Sequence, residues 1–311
     1  MKKVIHFFRS SLTALMLFGT CVANADVINV EFKFTPFTGD TQAEHVESVP
    51  GKAKVFINNI PVAERDIEKQ ELPVLFDERE VSPSVWIPVA SIGPVVRKGK
   101  NSIRIEFEPS QSTPYNAQFS WASVTDQSTE KNEGGSFKST NQTGEGKEDK
   151  KATGNVLFER EFVADFATDQ VWHHYPAVSS VSDEDKQALV ELLKDRAEAF
   201  KPKFADLYRL LESKPGINLA EARKAKCLDK AYAAGVRMSP PSPAELEFFT
   251  TDHPEVVVKR KDGPLFQPDR AAFNKIKGNE MQMCAGVLLS LIYPPQLIVV
   301  HKPEGSWEAV D

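Results

Sequence analysis

The sequence predicts two folded units, an all-β sandwich followed by an α+β domain with helices first and an antiparallel sheet last. Three observations carry this. Residues 26–126 alternate polar and apolar with period two and hold no long helix-period segment. Residues 127–154 are almost wholly polar, with five Lys facing five acids, and read as a flexible linker that cannot bury enough apolar surface to offset its ordering entropy. Beyond Ser182 the apolar residues recur at helical spacing behind N-capping signals, and period two returns near the end. A length of 311 suits about two domains. The expected division is therefore 1–25 leader, 26–126 sandwich, 127–154 linker and 155–311 α+β domain.

The leader has Lys2, Lys3 and Arg9, then an apolar stretch, then Ala23-Asn24-Ala25 before Asp26. This is the pattern of a cleavable export signal, and its start is of bacterial type, which implies a periplasmic location. Cys21, after Leu17-Phe18-Gly19-Thr20, opens the alternative of a lipoprotein.

In the first unit Ile28, Val30, Phe32 and Phe34 alternate with Asn29, Glu31 and Lys33, giving a half-buried strand. Further strands are expected at 54–57, 102–107 and 118–124, and a short helix at 62–70. The order Val55-Phe56-Ile57-Asn58-Asn59, then Trp86-Ile87-Pro88-Val89, then Arg97-Lys98-Gly99-Lys100-Asn101-Ser102-Ile103 resembles the galactose-binding-like jelly rolls attached to many glycosidases. In that family a strand ends in an Asn-Gly turn, where this chain has Asn59, and a Gly-x-Asn turn opens a later strand. The resemblance implies a jelly-roll sandwich used for binding or docking. Trp86, Tyr115 and Trp121 are then candidates to stack on a sugar ring, with core filling as the bland alternative.

In the second unit residues 156–166 fit either a strand or a helix face. Ser182 with Asp185 opens a helix whose face is Leu189, Leu193, Ala197 and Phe200. Pro202 interrupts it, and Phe204, Leu207 and Leu211 continue the rhythm in a second helix. Asn218 with Glu221 caps a third, ended by Gly235, and Ser242 with Glu245 opens a short fourth unit. A strand is expected at 256–260, a short helix at 269–276, and a long apolar strand at 281–292, with strands again at 297–301 and 307–310. The closing Glu304-Gly305-Ser306-Trp307-Glu308-Ala309-Val310 and the element order resemble the cone-shaped folds similar to nuclear transport factor 2, which implies a curved sheet wrapped round helices and carries no catalytic residue.

Charge narrows the partners. Residues 26–126 carry 10 basic against 15 acidic side chains and residues 155–311 carry 20 against 24, so neither offers the basic face that nucleic acid requires. No stretch is long and apolar enough to predict a membrane span in the mature chain. The most unusual motif is Trp172-His173-His174-Tyr175-Pro176. Adjacent His side chains diverge in helix and strand alike, so no metal site and no cofactor is expected there. Trp172 and Tyr175 suit an interface anchor, and His173 or His174 suits acid–base work. Without the leader, Cys227 and Cys284 are the one possible disulfide pair. The expected function is an exported, non-catalytic binding or adaptor protein recognising an envelope protein or glycan. The alternatives are an enzyme using His173 or His174 in a pocket of the second unit, and an inhibitor or immunity protein against a toxin or hydrolase.

Overall fold

The alternation of the first half builds two antiparallel sheets. In the computed structural model, which describes residues 26–75, 80–132, 135–212 and 218–310, the half runs β1 (Val27–Thr38), β2 (His45–Ser48), β3 (Gly51–Ile57), β4 (Ile60–Ile67), β5 (Glu71–Leu75), β6 (Glu80–Val81), β7 (Val85–Pro88), β8 (Lys100–Pro109), β9 (Tyr115–Asn132), β10 (Gly135–Ala152) and β11 (Val156–Val163). The leader, with Cys21 and the cleavage pattern, lies outside the described residues. One sheet has the order β10-β9-β1-β2-β5-β6 with β7 also on β1; the other is β11-β8-β3-β4. Their inward residues meet in one core. Phe34 of the first sheet packs against Phe107 and Phe158 of the second at 5.6 and 5.9 Å between ring centroids, and Phe32 meets Phe162 at 5.2 Å. Each of these rings contributes about 1.5–3 kcal/mol through burial.

Three expectations for this half change. Residues 62–70 form no helix; 60–67 are β4, joined to β3 by Asn58 and Asn59, both with positive φ as a tight hairpin turn demands. The linker expected at 127–154 is instead the outer part of β9 together with β10, whose residues pair in register from Gly135↔Asn132 to Ala152↔Tyr115. Its polarity has another cause: β10 is an edge strand, and charges such as Lys147, Lys150 and Lys151 are what edge strands carry against unwanted pairing. The first unit also extends past residue 126. Val156, Phe158 and Phe162 are buried in β11, which pairs with β8, so 156–163 is strand and belongs to the first core.

The second half contains α1 (Asp183–Glu198), α2 (Ala205–Leu210), α3 (Leu219–Ala225), α4 (Cys227–Ala233), β12 (Met238–Ser239), β13 (Leu246–Phe249), β14 (Glu255–Arg260), β15 (Gln267–Pro268), α5 (Arg270–Phe273), α6 (Asn279–Ile292), β16 (Gln296–His301) and β17 (Trp307–Ala309). The caps act as their chemistry predicts: Ser182 and Asp185 form a reciprocal capping box on α1, and Asn218 accepts from the Glu221 amide at 3.2 Å on α3. Lys226, in the left-handed conformation, divides the expected third helix into α3 and α4. The strand expected at 281–292 is the helix α6. Its buried residues Ala285, Leu288, Leu289 and Ile292 fall at helical spacing, and a twelve-residue apolar run exceeds an ordinary strand. Helices therefore also interrupt the sheet β13-β14-β16-β17 rather than all preceding it. Cys227 at the start of α4 and Cys284 on α6 stand at disulfide distance, with Cα atoms 5.9 Å apart. Among the described residues no helix is long and apolar enough to cross a membrane.

Strand β14 joins the halves. Val256 and Val258 face the helices, while Val257 belongs to the core of the first half. Glu255 and Lys259 share the Val257 face by period two, and both meet the first half, at Arg97 and Glu64. Gln296 of β16 adds a bond from Nε2 to the Pro61 carbonyl at 2.7 Å. The two halves are thus in contact along β14 and β16.

Candidate functional site

The expected site residues fall in three places. The first is the contact between the halves, which the loop 95–100 prepares. Asn101 accepts from the Arg97 amide and donates to the Arg97 and Gly99 carbonyls, and Asn58 donates to Asn101 and to the Val95 carbonyl. This knot presents Arg97, whose Nη2 donates to both Glu255 oxygens at 3.0 and 2.8 Å. The Glu255 side chain is fully buried. His173 lies beside the pair, 3.9 Å from Glu255 Oε1, with its side chain 2% exposed. Its Nε2 donates to the Pro94 carbonyl at 2.8 Å, since that oxygen can only accept. Its Nδ1 sits 3.3 Å from the Gln170 amide and 3.1 Å from Asp169 Oδ1. The neutral ring accepts from Gln170, and the protonated ring donates to Asp169. His174 is 72% exposed and reaches the other Asp169 oxygen at 3.0 Å. The His173 hydrogen bond, assisted by His174, holds the Asp169 carboxyl below its ordinary range. His253, at the same contact, is held below the usual imidazole value by burial first and by the Arg97 charge second.

His173 is therefore a buried hydrogen-bonding post and His174 a surface group. Trp172 packs edge-on against His173 at 5.9 Å, its buried indole N–H has no partner among the described residues, and its ring lines a cavity of ≈400 Å³ with Val89, Ile92, Pro94 and Phe166. Tyr175 is half-buried and extended, closing the 3₁₀ turn Val171–His174 by a bond from its amide to the Trp172 carbonyl.

The second place is the core. Tyr115 is buried, and its hydroxyl donates to the Gly154 carbonyl at 2.6 Å; burial pushes the phenol up from its ordinary range. Trp121 pairs with Phe32 and so faces inward, its ring 3.6 Å from the Arg160 guanidinium and pressed on Gly146, where an added Cβ would come 2.4 Å from Cζ2.

The third place is the outer face of the first sheet, built from the alternate residues. Lys33 lies between Trp86 on β7 and Ser120 on β9. Trp86 is 56% exposed, and its indole N–H donates to Glu31 at 3.3 Å. Lys33 and Ser120 both donate to Oε1 of Glu80, at 3.1 and 3.0 Å. Glu31, Lys33, Glu80 and Ser120, with Gln142, Glu145 and Lys147, line a groove of ≈360 Å³ beside the bulge between Thr143 and Gly146. Trp86 was legible as an aromatic candidate. Glu31, Lys33, Glu80 and Ser120 were not, because the pairing of β1 with β9 and the side-chain bonds from Lys33 and Ser120 to Glu80 on β6 bring them together only in the fold; the one available signal was that Glu31 and Lys33 alternate with core residues. Trp121, partly buried and opposite Trp86 in strand parity, also lines this groove next to Gly146.

Among the described residues no group of three or more His, Cys, Asp or Glu is arranged to hold a metal. Neither a protein-family model, nor a curated protein, nor a solved structure matches this chain.

Proposed function

We propose that the chain is an exported, non-catalytic binding protein of the bacterial periplasm, that its first half is a jelly-roll-like sandwich, and that the partner is an envelope glycan taken up on the outer face of the first sheet. The observation that carries this is Trp86. A large, flat, half-apolar ring stands open to solvent with its one polar atom already satisfied by Glu31, which also lines the adjoining polar groove. Such a ring suits a sugar face. Carboxylates and a hydroxyl in the groove suit the sugar hydroxyls, which donate and accept alike. Both known bonds to Glu80 converge on Oε1, which leaves Oε2 to a ligand. The disulfide fits an oxidising compartment. An enzyme built on His173 gains little support from a ring that is closed to solvent and bonded at both nitrogens.

The test is capture from an envelope extract by the purified chain, with Trp86→Ala and Trp172→Ala beside it. Enrichment on glycan material that Trp86→Ala loses and Trp172→Ala keeps supports the reading. Capture of a stoichiometric protein that is indifferent to Trp86→Ala overturns it in favour of an adaptor or an inhibitor.

A further inference from the structure

A second site lies in the other half and does not depend on the groove at Trp86. Between α5, α6 and the short ladder β12–β15 the structure leaves a cavity of ≈490 Å³ walled by Met238, Phe266, Phe273 and Leu289. That volume is ordinary for a small-molecule site, and the lining has the expected mixture of apolar walls and few polar groups. The sequence explains why the space stays open. Gly286 contributes no side chain where α6 passes α5, and a Cβ there would stand 3.4 Å from the Phe273 ring. Pro264, Pro268 and Pro295, also in the lining, are rigid and cannot fold inward to fill it.

The polar side chains of the lining are Arg270, Asn274, Ser290 and Tyr293. Arg270 and Ser290 lie on the exposed side of the lining, and the hydroxyl of Tyr293 is already spent on the Arg196 carbonyl at 3.2 Å. Arg270 makes no ion pair or side-chain hydrogen bond among the described residues. Its nearest acid in sequence, Asp269, is turned away to cap α5 through the Ala272 amide at 2.9 Å. Residues 270–277 hold Arg270, Lys275 and Lys277 and no carboxylate, so this edge is cationic in a chain whose net charge is −6. Met283 and Val287, exposed on α6, continue the apolar surface along the helix stripe that carries Gly286 and Ser290.

An unpaired guanidinium at the edge of an apolar chamber complements one kind of molecule. We propose that this cavity binds a single-chain amphiphile with an anionic head, of the fatty carboxylate class, its alkyl chain among Phe266, Phe273 and Leu289 and its head on Arg270. The chain removes apolar wall from water, at about 25 cal/mol per Å², and the head gains a charge-assisted bond that a planar guanidinium offers a carboxylate.

Titration calorimetry of the purified full chain with decanoate, and with decanol as the uncharged comparison, tests this. The parent is expected to bind one decanoate saturably. Arg270→Gln should weaken decanoate about tenfold, the loss of one charged hydrogen bond, and leave decanol unchanged. Gly286→Leu, which fills the chamber, should abolish both; if that variant fails to fold, Ser290→Trp at the exposed rim makes the same test. Trp86→Ala should bind decanoate like the parent, so failure here is distinct from failure of the glycan reading. Absence of saturable decanoate binding to the parent, an unchanged affinity in Arg270→Gln, or full binding by a folded cavity-filled variant each overturns the proposal.

Discussion

Removing one member of the Arg97–Glu255 pair should cost far more than removing both. Glu255 is fully buried and takes two bonds from one guanidinium nitrogen, while Arg97 keeps only 17% of its side-chain exposure and has the Val95 carbonyl as its other partner. Glu255→Ala strands a mostly buried guanidinium, and Arg97→Met strands a fully buried carboxylate. A broken buried pair costs about 3–5 kcal/mol, and Arg97→Met should lie at the upper end because Glu255 is the more deeply buried. Replacing both, as Arg97→Met with Glu255→Leu, removes the desolvation along with the attraction. That double variant should lose less than about 2 kcal/mol, well under either single change. His173 keeps its bond to the Pro94 carbonyl in all three, but stands 3.9 Å from Glu255 and so shares in the measured coupling. The assay is urea unfolding followed by tryptophan fluorescence, with the coupling taken from the double-mutant cycle. If the two single costs simply add in the double variant, or if each single costs under about 1 kcal/mol, the pair does not clamp the halves and the reasoning fails.

Three further predictions follow from the same geometry. His253 is neutral in the folded chain at pH values where the unfolded chain binds a proton, so its contribution to stability is complete above its ordinary value of 6.5 and is lost as pH falls toward its lower folded value; unfolding free energies from urea titrations at pH 7.5 to 5 should fall more steeply for the parent than for His253→Gln, by at most about 1.4 kcal/mol per pH unit, and parallel curves would refute this. Thiol titration of the unfolded, unreduced mature chain should find no reactive Cys, and reduction should lower stability by about 4 kcal/mol in the chain-entropy model, because the bond closes a separation of 57 residues between α4 and α6. Light trypsin treatment should leave Lys147, Lys150 and Lys151 uncut at first, since all three lie in the paired strand β10 and Lys150 is further held on the Leu157 carbonyl at 2.6 Å; early cleavage there would restore the flexible segment.

Features set by a few neighbouring residues were legible in the sequence. The caps at Ser182 and Asn218, the turn at Asn58-Asn59, the alternation of β1 and β8 and the pairing of the two cysteines all rest on chemistry confined to a short span, or on having one possible partner. Trp86 was visible as a candidate, but its open position on the outer face depended on which edge of β1 the strand β7 joins. The tertiary structure decided the rest. A polar stretch becomes strand at 135–152 because β9, held by β1 over residues 116–125, offers it a long ladder of backbone partners broken only at two bulges, and hydrogen bonds to a neighbour outweigh the lack of apolar side chains. The run at 281–292 becomes helix because one stripe of it meets a core made by α1, α4 and β14, residues far away in the chain. Glu255 reads in sequence as one more surface acid before a valine run; only the second buried face of β14 takes it out of water and gives it Arg97, 158 positions away. Burial on both faces of a strand is a property of what packs against it, and no local pattern of residues contains that information.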